Sequence, residues 1–309
     1  MMKVNKLYVA LLVLAVVAPF FLYPVFLAKL LCFALFACAF NLMLGYVGLL
    51  SFGHAAFLGT GGYITGWLMM NSGMTPELAI ILGTVAAGAL GAVFGKLSVK
   101  REGIYFAMVT LALAQLVFFI YLQAPFTGGE DGMQGVPRGN LFGFIDLSDN
   151  MNMYYFVLAV FLIGFWLIHR TIHSPFGQVL KAIRENEARA VSLGYNVNDY
   201  KWVAFTISAA LAGLAGSTKT LVFQLASLTD VHWHMSGEVV LMTLVGGVGT
   251  ILGPVVGAGV IVTMQNYLSG GELGNYVHII MGFIFVICVL AFRSGIVGEF
   301  QKMWKRNFG

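Results

Sequence analysis

The sequence predicts an all-α polytopic membrane protein, and three observations support this fold class. Of the 309 residues, 59% are hydrophobic and only 10% are charged, whereas an ordinary soluble domain is about 45 to 50% apolar and about 25% charged. The apolar residues form runs of about 20, the length that a helix needs to cross a bilayer. Short polar loops separate these runs. We therefore expect a single transmembrane domain over residues 1–309 with about 10 transmembrane helices.

The predicted spans follow one another along the chain. They cover residues 7–28, 30–48, 53–71, 77–95, 103–123, 151–169, 202–222, 236–252, 253–270 and 276–292. The first run is too long for a secretory signal and lacks its small-residue cleavage site, so we expect it to remain as a span. The three cysteines lie within apolar runs and are predicted to be buried hydrophobic residues: Cys32, Cys38 and Cys288.

Positive charge predicts which helix ends face the cytoplasm, because loops rich in Lys and Arg resist translocation. With both termini in the cytoplasm, fourteen of the seventeen Lys and Arg residues lie inside, and only Lys29, Arg138 and Lys219 lie outside. The net charge of +4 is therefore a topology signal, and we predict no binding of nucleic acid.

A polar loop over residues 124–150 is predicted outside the membrane. It contains "TGGEDGMQGVP", whose glycines and proline are typical of tight turns. Two interpretations stay open: a solvated connector, or a docking surface for a partner outside the cell membrane. For the second, the candidate residues are Gly128, Gly129, Glu130 and Asp131.

A second polar loop, residues 170–201, is predicted in the cytoplasm. Ser174 can cap a helix with Pro175 at its first position, and Gly194 can end it about five turns later. This single helix would be amphipathic, with Val179, Leu180, Ile183, Ala190 and Val191 on one side and Lys181, Arg184, Glu185, Glu187 and Arg189 on the other. It could be a solvated linker, lie on lipid, or enter a groove on a partner protein. Its mixed charge argues against lipid, and we favour the partner groove.

Two glycine-rich segments interrupt the apolar runs, at residues 45–66 and 244–259. Irregular backbone at membrane depth requires surrounding protein or a water-filled cavity to satisfy its polar groups. Paired interruptions of this kind are typical of a transport pathway, although small residues also let membrane helices pack closely. The candidate pathway residues are Gly48, Ser51, Gly53, His54, Gly246, Gly247, Gly249 and Pro254.

The histidines and the missing motifs limit the chemistry of the chain. His54 could bind substrate, relay protons or bond a carbonyl freed by the break, and we favour the last. His169 and His173 have the four-residue spacing of a zinc helix but no glutamate follows the first, so we predict no metal site. No phosphate-binding loop and no enzyme motif is present, and the acids sit in loops or near span ends. We therefore predict a conduit, passive or driven by a partner, that is not an enzyme.

Several segments together resemble the permease subunits of branched-chain amino acid ABC importers. The segments are "NLMLGYVGLLSFGHAAFLGTGGYITG" (41–66), "GIYFAMVTLALAQ" (103–115), "TGGEDGMQGVP" (127–137), "SPFGQVLKAIRENEARAVSLGYNV" (174–197), "AALAGLAG" (209–216) and "LVGGVGTILGPVVGA" (244–258). The resemblance implies a protein of the bacterial inner membrane that carries leucine, isoleucine or valine by alternating access. It implies a second permease subunit, identical or different, two cytoplasmic ATPases that hydrolyse ATP, and an extracytoplasmic binding protein. No cofactor is expected on this chain itself.

The resemblance also assigns a role to residues 170–201, which we call the coupling loop. Importer permeases carry an E-A-A motif followed by a glycine, matched here by Glu187, Ala188 and Gly194, with Arg189 in place of the second alanine. The residues expected to couple to the ATPase are Ile183, Arg184, Glu185, Glu187, Arg189 and Gly194. The alternative function is a stand-alone facilitator or an ion-coupled carrier of small amino acids, amides or urea, in which the loop is only a linker.

Overall fold

A computed structural model describes residues 6–269, 279–280, 282–283, 286 and 295–299. Eleven α-helices are present in residues 6–269: α1 (Lys6–Val17), α2 (Pro24–Asn41), α3 (His54–Ser72), α4 (Pro76–Ser98), α5 (Gly103–Gln123), α6 (Asn150–His173), α7 (Pro175–Glu185), α8 (Glu187–Ser192), α9 (Val197–Phe223), α10 (Trp233–Gly246) and α11 (Gly253–Ser269). Among the described residues, five stretches are long and apolar enough to cross a membrane, namely Pro24–Val47, Pro76–Ser98, Gly103–Gln123, Asn150–His173 and Val197–Phe223. The fold is therefore that of a polytopic helical membrane protein.

The helix bundle has two different ends. One end, which we call the hairpin end, carries residues 124–149 and 224–232, where β1 (Met133–Gln134) pairs antiparallel with β4 (Leu225–Ala226) and β2 (Asn140–Leu141) with β3 (Ile145–Asp146). Arg138 ties this end together, because Nη2 donates to the Val222 carbonyl at 2.8 Å and Nη1 to Asn150 Oδ1 at 2.9 Å. The other end, which we call the coupling end, carries α7 and α8.

Helix α9 lies at the centre and packs against α3 and α4 through small residues. A side chain at Gly213 would overlap Ala87, and one at Gly91 would overlap Ala209. The backbones are close enough for Ser217 Oγ to donate to the Gly61 carbonyl at 3.0 Å. Small residues allow this approach, which gives membrane helices their van der Waals contact.

The first predicted boundary is wrong. The chain turns at residues 21–23 rather than between residues 28 and 30, because Tyr23 is extended (ψ 120°) before Pro24, which starts α2. Lys29 therefore lies inside α2 rather than in an external loop. The first helix is also shorter than the predicted span 7–28, since α1 ends at Val17 and only one 3₁₀ turn follows.

Helices α3 and α10 begin near the middle of the bundle. His54, the first residue of α3, is hydrogen-bonded through Nε2 to Ser208 Oγ at 2.8 Å, and Ser208 lies about 16 Å along α9 at 1.5 Å per residue. The amide of Ala55 donates to Ser236 Oγ, in the first turn of α10, at 2.9 Å. The predicted span 236–252 is therefore wrong, because α10 has 14 residues, about 21 Å, and starts at mid-depth. The predicted span 276–292 falls largely outside the described residues.

The single helix predicted in the coupling loop is also wrong, because the chain forms two helices there. Asn186 has extended dihedrals (φ −158°, ψ 98°), which end α7, and its side chain caps α8 by accepting from Arg189 N at 3.0 Å. The predicted start is confirmed, since Ser174 Oγ accepts from Gly177 N at 3.3 Å. The break turns α8, so Val191 is 57% exposed instead of sharing the buried side of Ile183.

Candidate functional site: the junction of two glycine-rich breaks

The structure has an irregular segment at each of the two predicted places. The first break consists of a π-helix, Leu42–Val47, and the residues 48–53 that lead into α3. The second break, residues 247–252, joins α10 to α11. Gly48 (φ 85°) and Gly249 (φ 76°) hold left-handed backbone in these breaks, a conformation that only glycine adopts readily.

The two breaks contact each other at the coupling end. Asn41 bridges them, because its Oδ1 accepts from Gly249 N at 3.0 Å and its Nδ2 donates to the Thr250 carbonyl at 2.9 Å. A side chain added at Gly45 would meet Gly249 N at 2.7 Å, so the backbones touch directly. We call this contact the junction, defined by Asn41, Gly45, Gly249 and Thr250. Asn41 was missed at the sequence level, although an amide inside an apolar run beside glycines was a signal.

One side chain of the coupling loop reaches the junction. Arg184, near the end of α7, donates from Nη1 to the Gly45 carbonyl. The same nitrogen lies 3.0 Å from the position that a Cβ on Gly249 would take, and the Arg184 Cγ lies 3.1 Å from a Cβ position on Gly48. The guanidinium thus contacts both breaks, and the two glycines leave the space in which it lies.

The other predicted coupling residues divide between the interior and the surface. Ile183 is buried in a small cluster with Ala190 and Val197, and Glu187 Oε1 pairs with Lys201 Nζ at 2.6 Å. Glu185 and Arg189 are exposed. Gly194, with φ 88°, turns the chain just after α8. These contacts attach α8 to α9 on one side and leave a free surface on the other.

The remaining first-break residues form a layer deeper in the bundle. Ser51 is buried and its Oγ accepts from Gly53 N at 3.2 Å. His54 is fully buried between the ring edges of Phe40, Phe57 and Phe205, with centroid distances of 5.0, 5.6 and 5.9 Å. The Ser208 hydroxyl that bonds His54 donates onward to the Ala39 carbonyl at 2.6 Å. His54 therefore links α3 to α9 and, through Ser208, to α2.

The glycines that flank the second break lie in a helix contact. A side chain at Gly257 would overlap the Met242 carbonyl, and one at Gly246 would overlap the Gly253 carbonyl. Pro254 lies in the first turn of α11 and is buried. Of the predicted pathway residues in this segment, Gly249 is at the junction, Gly247 is in the break, and Gly246 and Pro254 are in the α10–α11 contact.

The hairpin end holds the predicted docking residues and a charged cluster that sequence reasoning missed. Gly128 and Gly129 adopt positive φ, 78° and 60°, and the side chains of Glu130 and Asp131 that follow are exposed. The missed cluster lines a cavity between α2, α9, α10 and α11 and contains Lys29, Lys219, Asp230 and Glu238. Both lysines were counted among the charges on the outer side of the membrane, and each lies within a helix, Lys29 in α2 and Lys219 in α9.

Long apolar helices, two irregular segments between them and a surface loop that contacts both define a membrane transport component. The comparison with known families is specific: residues 23–289 match the family described as branched-chain amino acid transport system / permease component. The chain belongs to this family. It is a multi-pass membrane permease component of an ABC transport system and not an enzyme, as the sequence analysis predicted.

Curated relatives agree with this assignment. The chain is 27% identical to the high-affinity branched-chain amino acid transport system permease protein LivM of Escherichia coli (strain K12), over 97% of this chain and 76% of the relative. It is 30% identical to the ribose import permease protein RbsC of Bacillus subtilis (strain 168), over 73% of this chain and 71% of the relative. No solved structure matches the chain.

Proposed function

We propose that this chain lines the translocation pathway of an importer for leucine, isoleucine and valine. It acts with a second permease subunit, identical or different, two cytoplasmic ATPases that hydrolyse ATP, and an extracytoplasmic binding protein. The names of the LivM relatives support the cargo. The contact of Arg184 with both glycine-rich breaks supports the rest of the proposal, because it joins the surface loop to the irregular segments that connect the helices.

The proposed orientation places the coupling end in the cytoplasm with both chain termini. Tyr154 and Tyr155, at the start of α6, bond the carbonyls of Ala15 and Val16, so α1 ends at the hairpin end and begins toward the coupling end. Gly295, in the short helical stretch 295–299, packs against Gly247 of the second break. Both observations support an even number of membrane crossings, and we propose ten, counting α3 and α10 as one crossing each together with the irregular segments beside them.

In the proposed mechanism, ATPase movement displaces α7 and changes the junction. A hydrogen bond from a charged donor contributes about 1.5–3 kcal/mol, which is enough to bias two arrangements of a contact as small as the junction. When α7 moves, Arg184 leaves the Gly45 carbonyl, and the two breaks separate or re-form. Alternating access follows if the arrangements open to opposite sides. A stand-alone carrier has no use for this connection, so the contact favours the importer over the alternative function.

The proposed partner surfaces lie at opposite ends. On α8 and the following turn, Val191 (57% exposed) and Leu193 (70% exposed) lie near the exposed charges Glu185 and Arg189, and we assign this face to the ATPase. At the hairpin end, Gly128 and Gly129 present the exposed acids Glu130 and Asp131, which we assign to the binding protein.

The test uses the complex reconstituted in liposomes with its ATPases and binding protein. Arg184→Gln is expected to keep assembly and stimulated ATP hydrolysis but to reduce leucine uptake by about tenfold or more, because a charge-assisted bond is lost. Arg101→Gln, an exposed arginine between α4 and α5, is the matched control and should transport normally. Wild-type uptake by Arg184→Gln would remove the junction from the mechanism. Leucine transport by the chain alone would instead support the facilitator.

A further inference from the structure

A cavity of about 350 Å³ opens at the hairpin end between α2, α9, α10 and α11. Its volume falls in the range of about 300–1,000 Å³ that small-molecule sites occupy. Lys29 lies ten residues before Ala39, whose carbonyl bonds Ser208 at mid-depth, and is therefore about 15 Å nearer the hairpin end. The cavity thus lies on the side of the bundle opposite to the coupling loop.

The charges on the cavity wall are only partly compensated. Lys219 Nζ pairs with the Asp230 carboxylate, and both side chains are largely buried. Lys29 interacts electrostatically with Lys219 and Glu238. Within the described part of the chain, neither Lys29 nor Glu238 makes an ion pair or a side-chain hydrogen bond. One ammonium group and one carboxylate therefore line the same cavity without direct partners.

Charged groups in membrane segments are costly and usually serve a function. The Lys219–Asp230 pair has a structural explanation, because it ties α9 to the segment that leads into α10. The unpaired cation Lys29 and the unpaired anion Glu238 have no such structural explanation within the described residues. A ligand with the opposite charges would compensate both.

The apolar part of the cavity wall restricts the class of ligand further. Phe33 and Met235 line the cavity beside the charged groups. The side chain of a helical residue leans toward the helix N-terminus, so Glu238 leans toward the start of α10, on the side of the cavity where Met235 lies. A ligand that suits this wall carries a carboxylate, an ammonium group and an aliphatic part. A sugar carries no charge and would leave Lys29 and Glu238 uncompensated.

We infer that this cavity binds the α-amino acid as a zwitterion, with its carboxylate at Lys29 and its ammonium group at Glu238. The inference rests on the proposed function and assigns its cargo site within this chain. The aliphatic side chain lies against Phe33 and Met235. The charged groups recognise what all α-amino acids share, and the apolar wall selects aliphatic ones.

The test measures uptake of radiolabelled L-leucine by the reconstituted complex with its ATPases and binding protein. Lys29→Gln and Glu238→Gln are each expected to reduce uptake by about tenfold to a hundredfold, because each removes a charge-assisted contact to the ligand. Lys29→Arg and Glu238→Asp keep the charges and should retain most of the uptake. The matched controls are Lys100→Gln and Glu102→Gln, which neutralise exposed residues at the coupling end.

Hydrolysis of ATP stimulated by the loaded binding protein is measured on the same samples. Retained stimulation with lost uptake supports the cavity site, because assembly and signalling are then intact. Normal uptake by both neutralised variants overturns the inference and leaves the proposed function standing. Equal loss of uptake in the charge-keeping variants also overturns it, since their charges are unchanged. No leucine uptake by the unchanged complex overturns the proposed function itself.

Discussion

The two breaks are similarly rich in glycine but differ in what their flanking helices do. After the first break, α3 restarts at mid-depth, where side chains of Ser208 and Ser236 bond its first two residues. On both sides of the second break, α10 and α11 pack tightly on each other through Gly246 and Gly257. Glycine therefore provides left-handed backbone and space for Arg184 within the breaks, at Gly48 and Gly249, and close helix packing in the helices that flank the second break.

This difference answers a question that composition leaves open. A glycine in a membrane segment serves either a break or a packed contact, and the sequence pattern is the same for both. The deciding property is what a side chain at that position would meet. At Gly257 it meets backbone of a neighbouring helix, whereas at Gly48 it meets the flexible side chain of Arg184. Substitutions can therefore separate folding from transport.

The largest expected effect is at the packed contact. Gly257→Val should prevent accumulation of folded protein, because the added carbons overlap the Met242 carbonyl and α10 cannot shift without disturbing the junction. Gly259→Val is the matched control two residues away, where a Cβ meets nothing within 4 Å. Size-exclusion chromatography in detergent measures the yield of folded protein. Equal yields for the two variants would contradict the conclusion that Gly257 serves helix packing.

The next effect is on transport without loss of assembly. Gly53→Leu places a large side chain where a Cβ already lies 3.2 Å from the Thr110 carbonyl of α5. Gly53 has φ −89°, and its Cβ position lies 3.2 Å from the Thr110 carbonyl, whereas the Cβ position of Gly257 overlaps the Met242 carbonyl. We therefore expect a local shift at Gly53 and not a loss of folding. We expect leucine uptake to be abolished while ATPase subunits still co-purify. Retained uptake would remove the first break from the pathway.

A smaller effect is expected at the bridge between the breaks. Asn41→Ala removes two hydrogen bonds and leaves the Gly249 amide without its acceptor, at a cost of about 2 kcal/mol. Asn152→Ala, which removes one exposed hydrogen bond to the Asp146 carbonyl, is the control. Thermal unfolding in detergent should show a lower midpoint for Asn41→Ala alone. If both variants unfold at the same midpoint, the Asn41 hydrogen bonds do not stabilise the junction.

The smallest expected effect concerns the glycines with left-handed backbone. Gly48→Ala and Gly73→Ala both place a side chain at positive φ, 85° and 58°, at a similar cost of about 1–2 kcal/mol. Gly73 has open space around it and lies far from the junction, whereas a Cβ at Gly48 presses on Arg184. Uptake per folded transporter should therefore fall only for Gly48→Ala. Equal uptake by the two variants would mean that the Arg184 side chain moves aside without any effect on transport.

Much of the fold was predictable because its signals are local. Apolar runs located the long helices, and Ser174 with Pro175 located the start of α7. The errors also have local causes. The first boundary was missed because the apolar run continues through Pro24, where the chain turns and α2 starts. The break at Asn186 was missed because its neighbours keep a helical pattern. The short α10 was missed because composition does not report depth in the membrane.

The sequence by itself determined the membrane class, the two breaks, the coupling loop and the family resemblance, since these depend on residues close together in the chain. Only the tertiary structure decided that Arg184 reaches Gly45, 139 residues away, and that Asn41 bonds Thr250, 209 residues away. It also decided that Lys29 and Glu238 line one cavity. Such contacts depend on how helices pack, and packing depends on shape complementarity between distant segments, which periodicity and composition do not encode.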